Sequence, residues 1–169
     1  KNHGVVIGGE NVIDVHKKLC KITESLITEP VVRKSGSVVI SKPPKRFSDQ
    51  YTAVADPCAH QLVLDPTLFS RLQRNWALYP DHVVFLGPRA HVYESWQRFE
   101  DEALRSGLFP ELIFLVGEGV FAQKSFIRAK HVQLRCYFDV MVRQGTDSSL
   151  TSLTNEQIAE LLNWDAEQY

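Results

Sequence analysis

One histidine of the chain lies where a metal ligand could be held rigidly. His3 stands in the stretch Asn2-His3-Gly4, directly before the β-branched run 5–7, which the pattern predicts to be a strand. A neutral imidazole fixed at the mouth of a strand is a good zinc ligand, and a neighbouring glycine lets backbone or substrate come close. A catalytic zinc needs about three protein ligands, so His3 by itself is either one ligand of a larger site or an exposed residue without a role.

Two charged residues in glycine-containing turns could contact a substrate. Glu118 lies between Gly117 and Gly119, where its carboxylate could bind a substrate hydroxyl or simply face water. Arg89 follows Gly87-Pro88, and its guanidinium fork suits a phosphate group. A surface salt bridge is the alternative role for Arg89.

One stretch of the chain matches the residue pattern of a dinucleotide-binding fingerprint. The stretch 117–122 (GEGVFA) follows a predicted strand and fits Gly-x-Gly-x-x-Ala, with Asp139 further along. The helix of that fingerprint must begin at the glycines, because its N-terminus holds the pyrophosphate. Here residues 120–122 are predicted to continue as strand, and the helix is predicted to begin only after Ser125. Dinucleotide binding is therefore the less favoured interpretation.

The other histidines lack a metal-ligand spacing. His82 falls on a predicted strand, and His60 and His91 fall in predicted loops. These three could cluster in space, but structural roles are the favoured interpretation. His16 and His131 lie on predicted helices, where a packing or interface role is expected.

Hydrophobic periodicity and capping signals supply the elements that would position these residues. They predict strands at 5–7, 82–86, 112–116 and 120–122, and helices at about 11–27, 66–76, 94–105, 126–142 and 155–168. Residues 33–50 are rich in Ser, Pro and cationic side chains and indicate a linker or surface arm. Helices and strands mixed in this order favour an α/β or α+β domain with one sheet.

Composition excludes several classes of protein. The chain has 169 residues, a net charge of −1, 44% hydrophobic and 23% charged residues, which is normal for a globular protein. No overall basic field would recruit nucleic acid, and the longest apolar runs are too short to cross a bilayer. Three cysteines without Cys-x-x-Cys spacing favour reduced thiols in a cytoplasmic protein over a disulfide framework or a zinc knot.

An internal repeat is suggested when residue 4 is placed on residue 119. The identities are Gly4 with Gly119, Val5 with Val120, His16 with His131 and Leu19 with Leu134. Both stretches are predicted to run from a short strand through a turn into an amphipathic helix. The alignment predicts two copies of one unit, and Glu118 of the second copy stands where His3 stands in the first.

The first of these stretches resembles a known family. Residues 2–9 (NHGVVIGG), followed by a long helix, are similar to the C-terminal part of the class II aldolase/adducin family. The stretches 79–88, 110–121 and 162–169 resemble the C-terminal half of long bacterial members, so the resemblance covers most of the chain.

The resemblance implies that His3 is the third ligand of a divalent metal, usually zinc. In that family the metal polarises a ketose phosphate carbonyl and stabilises the enediolate left by carbon–carbon cleavage. The chain departs from the family pattern, because it contains no His-x-His pair and residues 85–89 offer no ligand where that pair is expected. The missing ligands and the acid/base group are therefore expected upstream of Lys1, and this chain is expected to lack a complete active site.

Together these observations predict an α/β fold, namely a three-layer class II aldolase-like domain with a central mixed sheet, preceded by a strand–helix remnant. The predicted organisation is a first unit over 1–32, a basic linker over 33–55 and a degenerate second unit over 56–169. The predicted function is part of a metal-dependent aldolase-like protein acting on sugar phosphates, as a homo-oligomer without nucleic-acid or membrane partners. The alternative is a non-catalytic pseudo-enzyme, or an interaction or oligomerisation module as in adducin.

Overall fold

The computed structural model describes residues 5–27, 40, 42–145 and 150–163. The chain divides into two compact units, Lys1–Val32 and Arg33–Tyr169. His3, the predicted metal ligand, lies outside the described residues. Within the described ranges, no helix has both the length and the apolar character needed to cross a membrane.

The described residues of the first unit contain one helix, α1 (Val12–Leu26). Asn11 caps its N-terminus by accepting a hydrogen bond from the Asp14 backbone N–H at 3.0 Å. The predicted helix is therefore confirmed, but none of its residues is buried. The predicted strand at 5–7 is wrong: these residues form no strand, and Val6 is fully exposed. A short β-branched run becomes a strand only when a neighbouring strand pairs with it, and the described part of this unit contains none.

The second unit is built on a four-stranded mixed sheet. Its strands are β1 (Tyr51–Ala53), β2 (Val92–Tyr93), β3 (Leu112–Leu115) and β4 (Gly119–Gln123), in the spatial order β1-β4-β3-β2. β4 runs antiparallel to both β1 and β3, whereas β2 runs parallel to β3. The predicted α/β class and the mixed sheet are confirmed, and β3 and β4 form a hairpin.

Six helices surround this sheet in the described part of the second unit. They are α2 (Pro57–Leu64), α3 (Pro66–Arg74), α4 (Pro80–Leu86), α5 (Trp96–Ser106), α6 (Arg128–Arg143) and α7 (Asn155–Leu162). Asp65 caps α3 with Pro66 in the first turn, as the sequence predicts. Thr154 and Gln157 form a capping box at the start of α7, as their Thr-x-x-Gln spacing before the helix predicts.

The core lies on both faces of the sheet. On one face Ile113, Leu115 and Phe121 pack with Trp96 and Phe99 of α5. On the other face, alternate residues of β3 and β4 pack against α2, α3, α4 and α6. β3 is buried along its whole length, as expected for a strand covered by helices on both sides.

Part of the predicted linker belongs to this core. Residues 45–50 form turns that lead directly into β1, and Phe47 is only 6% exposed. Its ring lies 5.4 Å from the ring of Trp96 and 5.2 Å from that of Phe99. The predicted linker over 33–55 thus includes residues that fold with the sheet.

The predicted strand over 82–86 is wrong, because these residues form helix α4. Pro80 occupies its first turn, where the fixed φ of proline favours a helix. The buried residues are His82, Val83 and Leu86, a spacing that places one helical face against the core. Helix α6 also begins later than predicted, since its N-cap is Ile127 and not Ser125.

Candidate functional site

Glu118, a predicted substrate ligand, lies in the tight turn between β3 and β4. Its backbone N–H donates to the Leu115 carbonyl at 3.1 Å, and the Gly117 N–H donates to the Val63 carbonyl at 3.3 Å. These bonds fix the turn against the end of α2. The Glu118 carboxylate has no hydrogen bond or ion pair within the ranges that the structure describes.

Arg89, the other predicted substrate ligand, is exposed in the loop between α4 and β2. It precedes β2, whereas Glu118 follows β3. Because these two strands run parallel, the two residues flank opposite ends of the strand pair. The structure therefore does not bring the two predicted substrate ligands together.

His60 is a structural residue, although the sequence suggests a loop position for it. It lies in α2 and is 4% exposed. Its Nε2–H donates to the Val54 carbonyl at 2.9 Å, and its Nδ1 accepts from the Val120 N–H at 3.0 Å. Burial lowers its pKa, so the ring is neutral and both of its nitrogens are used by the backbone.

His82 is sealed in the core among aromatic rings. Its ring centre lies 4.3 Å from that of Trp76 and 4.8 Å from that of Tyr137, both in edge-on geometry. The Leu78 N–H points to its Nδ1 at 3.5 Å, while Nε2 has no hydrogen-bond partner in the described structure. Burial lowers its pKa to about 3, so the ring is neutral. His82 is fully buried, and a metal ion has no access to it.

The described residues contain no cluster of three or more His, Cys, Asp or Glu side chains able to hold a metal ion. His16 and Cys20 approach each other on α1, with 3.6 Å between Nε2 and Sγ, but they are only two potential ligands. A catalytic zinc needs about three. The described residues therefore do not fit a zinc centre on their own.

A half-open cleft does bring ionisable side chains together at one end of the sheet. It lies where the end of α4, the loop before β2, the start of β3 and the start of α6 meet. Its volume is about 200 Å³, and residues 84–87, His91, 110–112, Phe126 and Lys130 line it. Arg89 stands in the loop between the lining residues Gly87 and His91.

The charged side chains that line the cleft form one ion pair. Lys130 is ion-paired with Glu111, and its Nζ lies 5.9 Å from the centre of the Phe126 ring. His91 is partly buried, and burial followed by the nearby Arg89 charge lowers its pKa, while Glu102 acts in the opposite direction. The lining therefore presents the His91 imidazole and the Lys130–Glu111 ion pair, with the Arg89 guanidinium in the adjoining loop.

Hydrogen bonds from the core hold two rims of this cleft. Trp76 Nε1–H donates to the Gly87 carbonyl at 2.9 Å. On the other rim, the Tyr51 hydroxyl donates to the Pro110 carbonyl at 2.7 Å, and Gln123 Nε2–H donates to the Phe109 carbonyl at 2.8 Å. The cleft is consequently a preformed feature, and binding there need not first order its rims.

Sequence reasoning missed this cleft, because its walls come from four separate segments of the chain. His91 and Arg89 were visible as candidates, but no local pattern pairs them with Glu111 or Lys130. The chain matches no family model, no curated protein and no solved structure. The resemblance to class II aldolases therefore depends on its motifs alone.

Proposed function

We propose that this chain is part of a metal-dependent class II aldolase-like protein that cleaves sugar phosphates, and that the unit with the sheet is its non-catalytic part. The observation that supports this division is the state of the two buried histidines. Both ring nitrogens of His60 bind backbone groups, and His82 is sealed from solvent. Neither is free to hold a metal.

In this proposal, His3 is one ligand of the metal, and the remaining ligands come from outside the described residues. Bound zinc would polarise the sugar phosphate carbonyl. The sheet unit would have the three-layer arrangement of the family, and Arg89 and Glu118 would be its substrate contacts. Because these two residues flank opposite ends of β2 and β3, the proposal assigns them to different parts of the substrate or to different substrate molecules.

The metal content of the purified chain tests this proposal, with plasma mass spectrometry as the measurement and His3→Ala as the variant. We expect little bound zinc and no retro-aldol turnover with added zinc. The intact protein should cleave a ketose phosphate and lose this activity both with a chelator and with His3→Ala. Near-stoichiometric zinc on this chain, removed by His3→Ala, would show that a complete site exists here and would overturn the division.

A second candidate function is an interaction or oligomerisation module, and α1 supports it. Val12, Leu19 and Leu26 are exposed to 84%, 48% and 69%. With Val15 and Ile22 they recur at alternating spacings of three and four residues, which places one apolar stripe along the helix. Such a stripe on an exposed helix is typical of a surface that packs against another helix.

Sedimentation equilibrium tests this second function. Leu19→Asp should lower the average mass of any assembly. Lys21→Asp, on the opposite side of α1, should leave the mass unchanged although it alters the charge more. A protein that is monomeric before and after both changes would exclude self-association through α1.

A further inference from the structure

We propose that the cleft between α4 and α6 binds a small anion, through its phosphate or carboxylate group, between Arg89, His91 and Lys130. This inference rests on the cleft alone and not on the proposed aldolase-like function. It assigns a ligand site to the sheet unit that requires no metal.

Within the described structure, the cation that stands without an ion pair beside the cleft, Arg89, favours an anion. Arg89 is exposed and has no ion pair among the described residues, so its guanidinium is available to a ligand. Lys130 is held over the cleft by Glu111, with 22% of its side chain exposed. Glu111 offsets the charge of Lys130, so the Arg89 guanidinium in the adjoining loop supplies the positive charge that attracts an anion, while the Glu102 carboxylate near His91 opposes it. A planar guanidinium beside an ammonium suits phosphate or carboxylate oxygens.

The start of α6 adds to this preference. Lys130 lies in the first turn of this helix, and the N-cap residue Ile127 has no side-chain cap. The partial positive charge of a helix N-terminus favours an anion. The end of α4 lies on the other side of the cleft with its C-terminal carbonyl groups, which oppose an anion, but α4 has only seven residues.

The size of the cleft limits the ligand. Its volume of about 200 Å³ exceeds that of a cavity of about 150 Å³ that holds benzene. It is smaller than the roughly 300–1,000 Å³ of drug-sized ligand pockets. Inorganic phosphate, a phosphorylated three-carbon compound or a short organic acid fits this range.

The pKa of the His91 imidazole reports whether an anion binds in the cleft. The charged groups around it are Arg89 and Glu102, with Glu111 and Lys130 in the same cleft. An anion placed between Arg89 and His91 offsets the guanidinium charge that lowers the pKa of the imidazole. Anion binding should therefore raise the pKa of His91, and a lower pH should tighten binding by the same linkage.

The test is an NMR titration of the full chain with inorganic phosphate at pH 7 and constant ionic strength. The His91 imidazole resonance is assigned by its disappearance in His91→Gln. Saturable shifts of this resonance and of the amides of residues 87–91 are expected. A parallel titration with acetate shows whether the site prefers phosphate or accepts carboxylates equally.

Two variants should change phosphate affinity in opposite directions, and a third serves as the control. Lys130→Met should weaken phosphate binding by about tenfold, since a hydrogen bond to a charged group is lost. Glu111→Gln should strengthen binding, because the carboxylate that competes for Lys130 is gone, and such a gain cannot result from misfolding. The control is Lys124→Met, which removes an identical charge outside the cleft lining and should leave binding nearly unchanged.

Two results would overturn the proposal. One is the absence of any shift at His91 up to the highest soluble phosphate concentration. The other is an equal loss of binding in Lys124→Met and Lys130→Met, which would show attraction to general surface charge only. Neither result depends on zinc, so the failure of this site and the failure of the proposed function are distinguishable.

Discussion

The Nδ1 atom of His60 lies 3.0 Å from the backbone nitrogen of Val120, a residue 60 positions further along the chain. Through its other ring nitrogen, His60 also binds the Val54 carbonyl. One buried imidazole thus ties the end of β1 and the start of α2 to β4. The sequence around His60 does not predict either hydrogen-bond partner, because the tertiary fold brings them to the ring.

Removing this imidazole should destabilise the sheet unit. His60→Phe leaves the Val54 carbonyl and the Val120 N–H buried without partners, at a cost of about 1–3 kcal/mol each. His60→Gln retains a donor near the position of Nε2 and should lose less. Urea unfolding followed by circular dichroism measures both changes, and an equal loss in the two variants would show that ring packing, not hydrogen bonding, matters at this site.

The stability of the sheet unit should fall as the pH is lowered, and His82 should contribute to the fall. The pKa of His82 is lowered from 6.5 to about 3 by burial, so the unfolded chain takes up a proton that the folded chain excludes. Well above pH 6.5 His82 is neutral in both states and does not lower the free energy of unfolding. As the pH falls from 6.5 towards 3, protonation of His82 in the unfolded chain lowers the free energy of unfolding progressively. Between pH 7 and pH 5 this amounts to about 2 kcal/mol.

A matched variant separates this effect from the titration of carboxylates. His82→Phe keeps an aromatic ring among Trp76 and Tyr137 but cannot bind a proton. Its free energy of unfolding should therefore change less between pH 7 and pH 5 than that of the unmodified chain. If the two proteins show the same pH dependence in urea unfolding, the proposed role of His82 is wrong.

Gly119 should be the most sensitive glycine of the β3–β4 hairpin. Its φ is +143°, and a Cβ atom there would lie 3.0 Å from His60 Nδ1 and 3.2 Å from Ile40 Cγ2. Gly117 has a φ of +72° but open space around it. Gly117→Ala should cost about 1–2 kcal/mol for the left-handed backbone alone.

Gly119→Ala should cost more than Gly117→Ala, because steric crowding of His60 adds to the backbone strain. Thermal unfolding of the two variants compares them directly. Hydrogen exchange of the Val120 amide should also accelerate in Gly119→Ala and stay slow in Gly117→Ala. A similar loss in both variants would mean that His60 moves aside without cost.

Arg71 should stabilise the C-terminal end of α6. It is 9% exposed, and its guanidinium donates to the Met141 carbonyl at 2.5 Å and to the Gly145 carbonyl at 2.9 Å. A cation that binds the last carbonyls of a helix is favourable through both hydrogen bonds and the helix dipole.

Arg71→Met keeps most of the buried volume but loses both donors, and we expect a loss of about 2–3 kcal/mol. Arg71→Lys should recover part of this, since it keeps a charge but not the two-pronged geometry. Denaturant unfolding measures the free energy of unfolding of Arg71→Met, Arg71→Lys and the unmodified chain and so ranks their stabilities. Equal stability of Arg71→Met and the unmodified chain would show that the guanidinium does not cap the helix.

Elements with strong local signals could be predicted from the sequence. Asp65-Pro66 and the Thr154–Gln157 capping box mark the starts of α3 and α7, and both are confirmed. Gly107 closes α5 in the left-handed conformation, which a glycine directly after a helical pattern predicts. These signals act within one turn of helix, so they do not depend on the rest of the fold.

Elements decided by tertiary packing were predicted wrongly or missed. The run Val83-Val84-Phe85 favours a strand by composition, but burial of one face turns it into part of α4. Helix α2 was missed although Asp56-Pro57 repeats the cap signal of Asp65-Pro66. The strand β1 is only three residues long, too short for alternation to show.

The site could be predicted less well than the fold. Arg89 was recognised as a possible phosphate ligand, and the structure places it in the loop beside the cleft. The pairing of Lys130 with Glu111 could not be predicted, because an ion pair across 19 residues leaves no periodic signal. His3 lies outside the described residues, so its role as a metal ligand stays a prediction.

The two outer strands of the sheet, β1 and β2, have three and two residues. Very short outer strands expose few unpaired backbone groups and give a foreign strand little template for edge-to-edge pairing. The sheet is thereby protected from growing by strand addition and from aggregating through its edges. If copies of this chain associate, we expect them to do so through side chains on helix surfaces and not through a continuous intermolecular sheet.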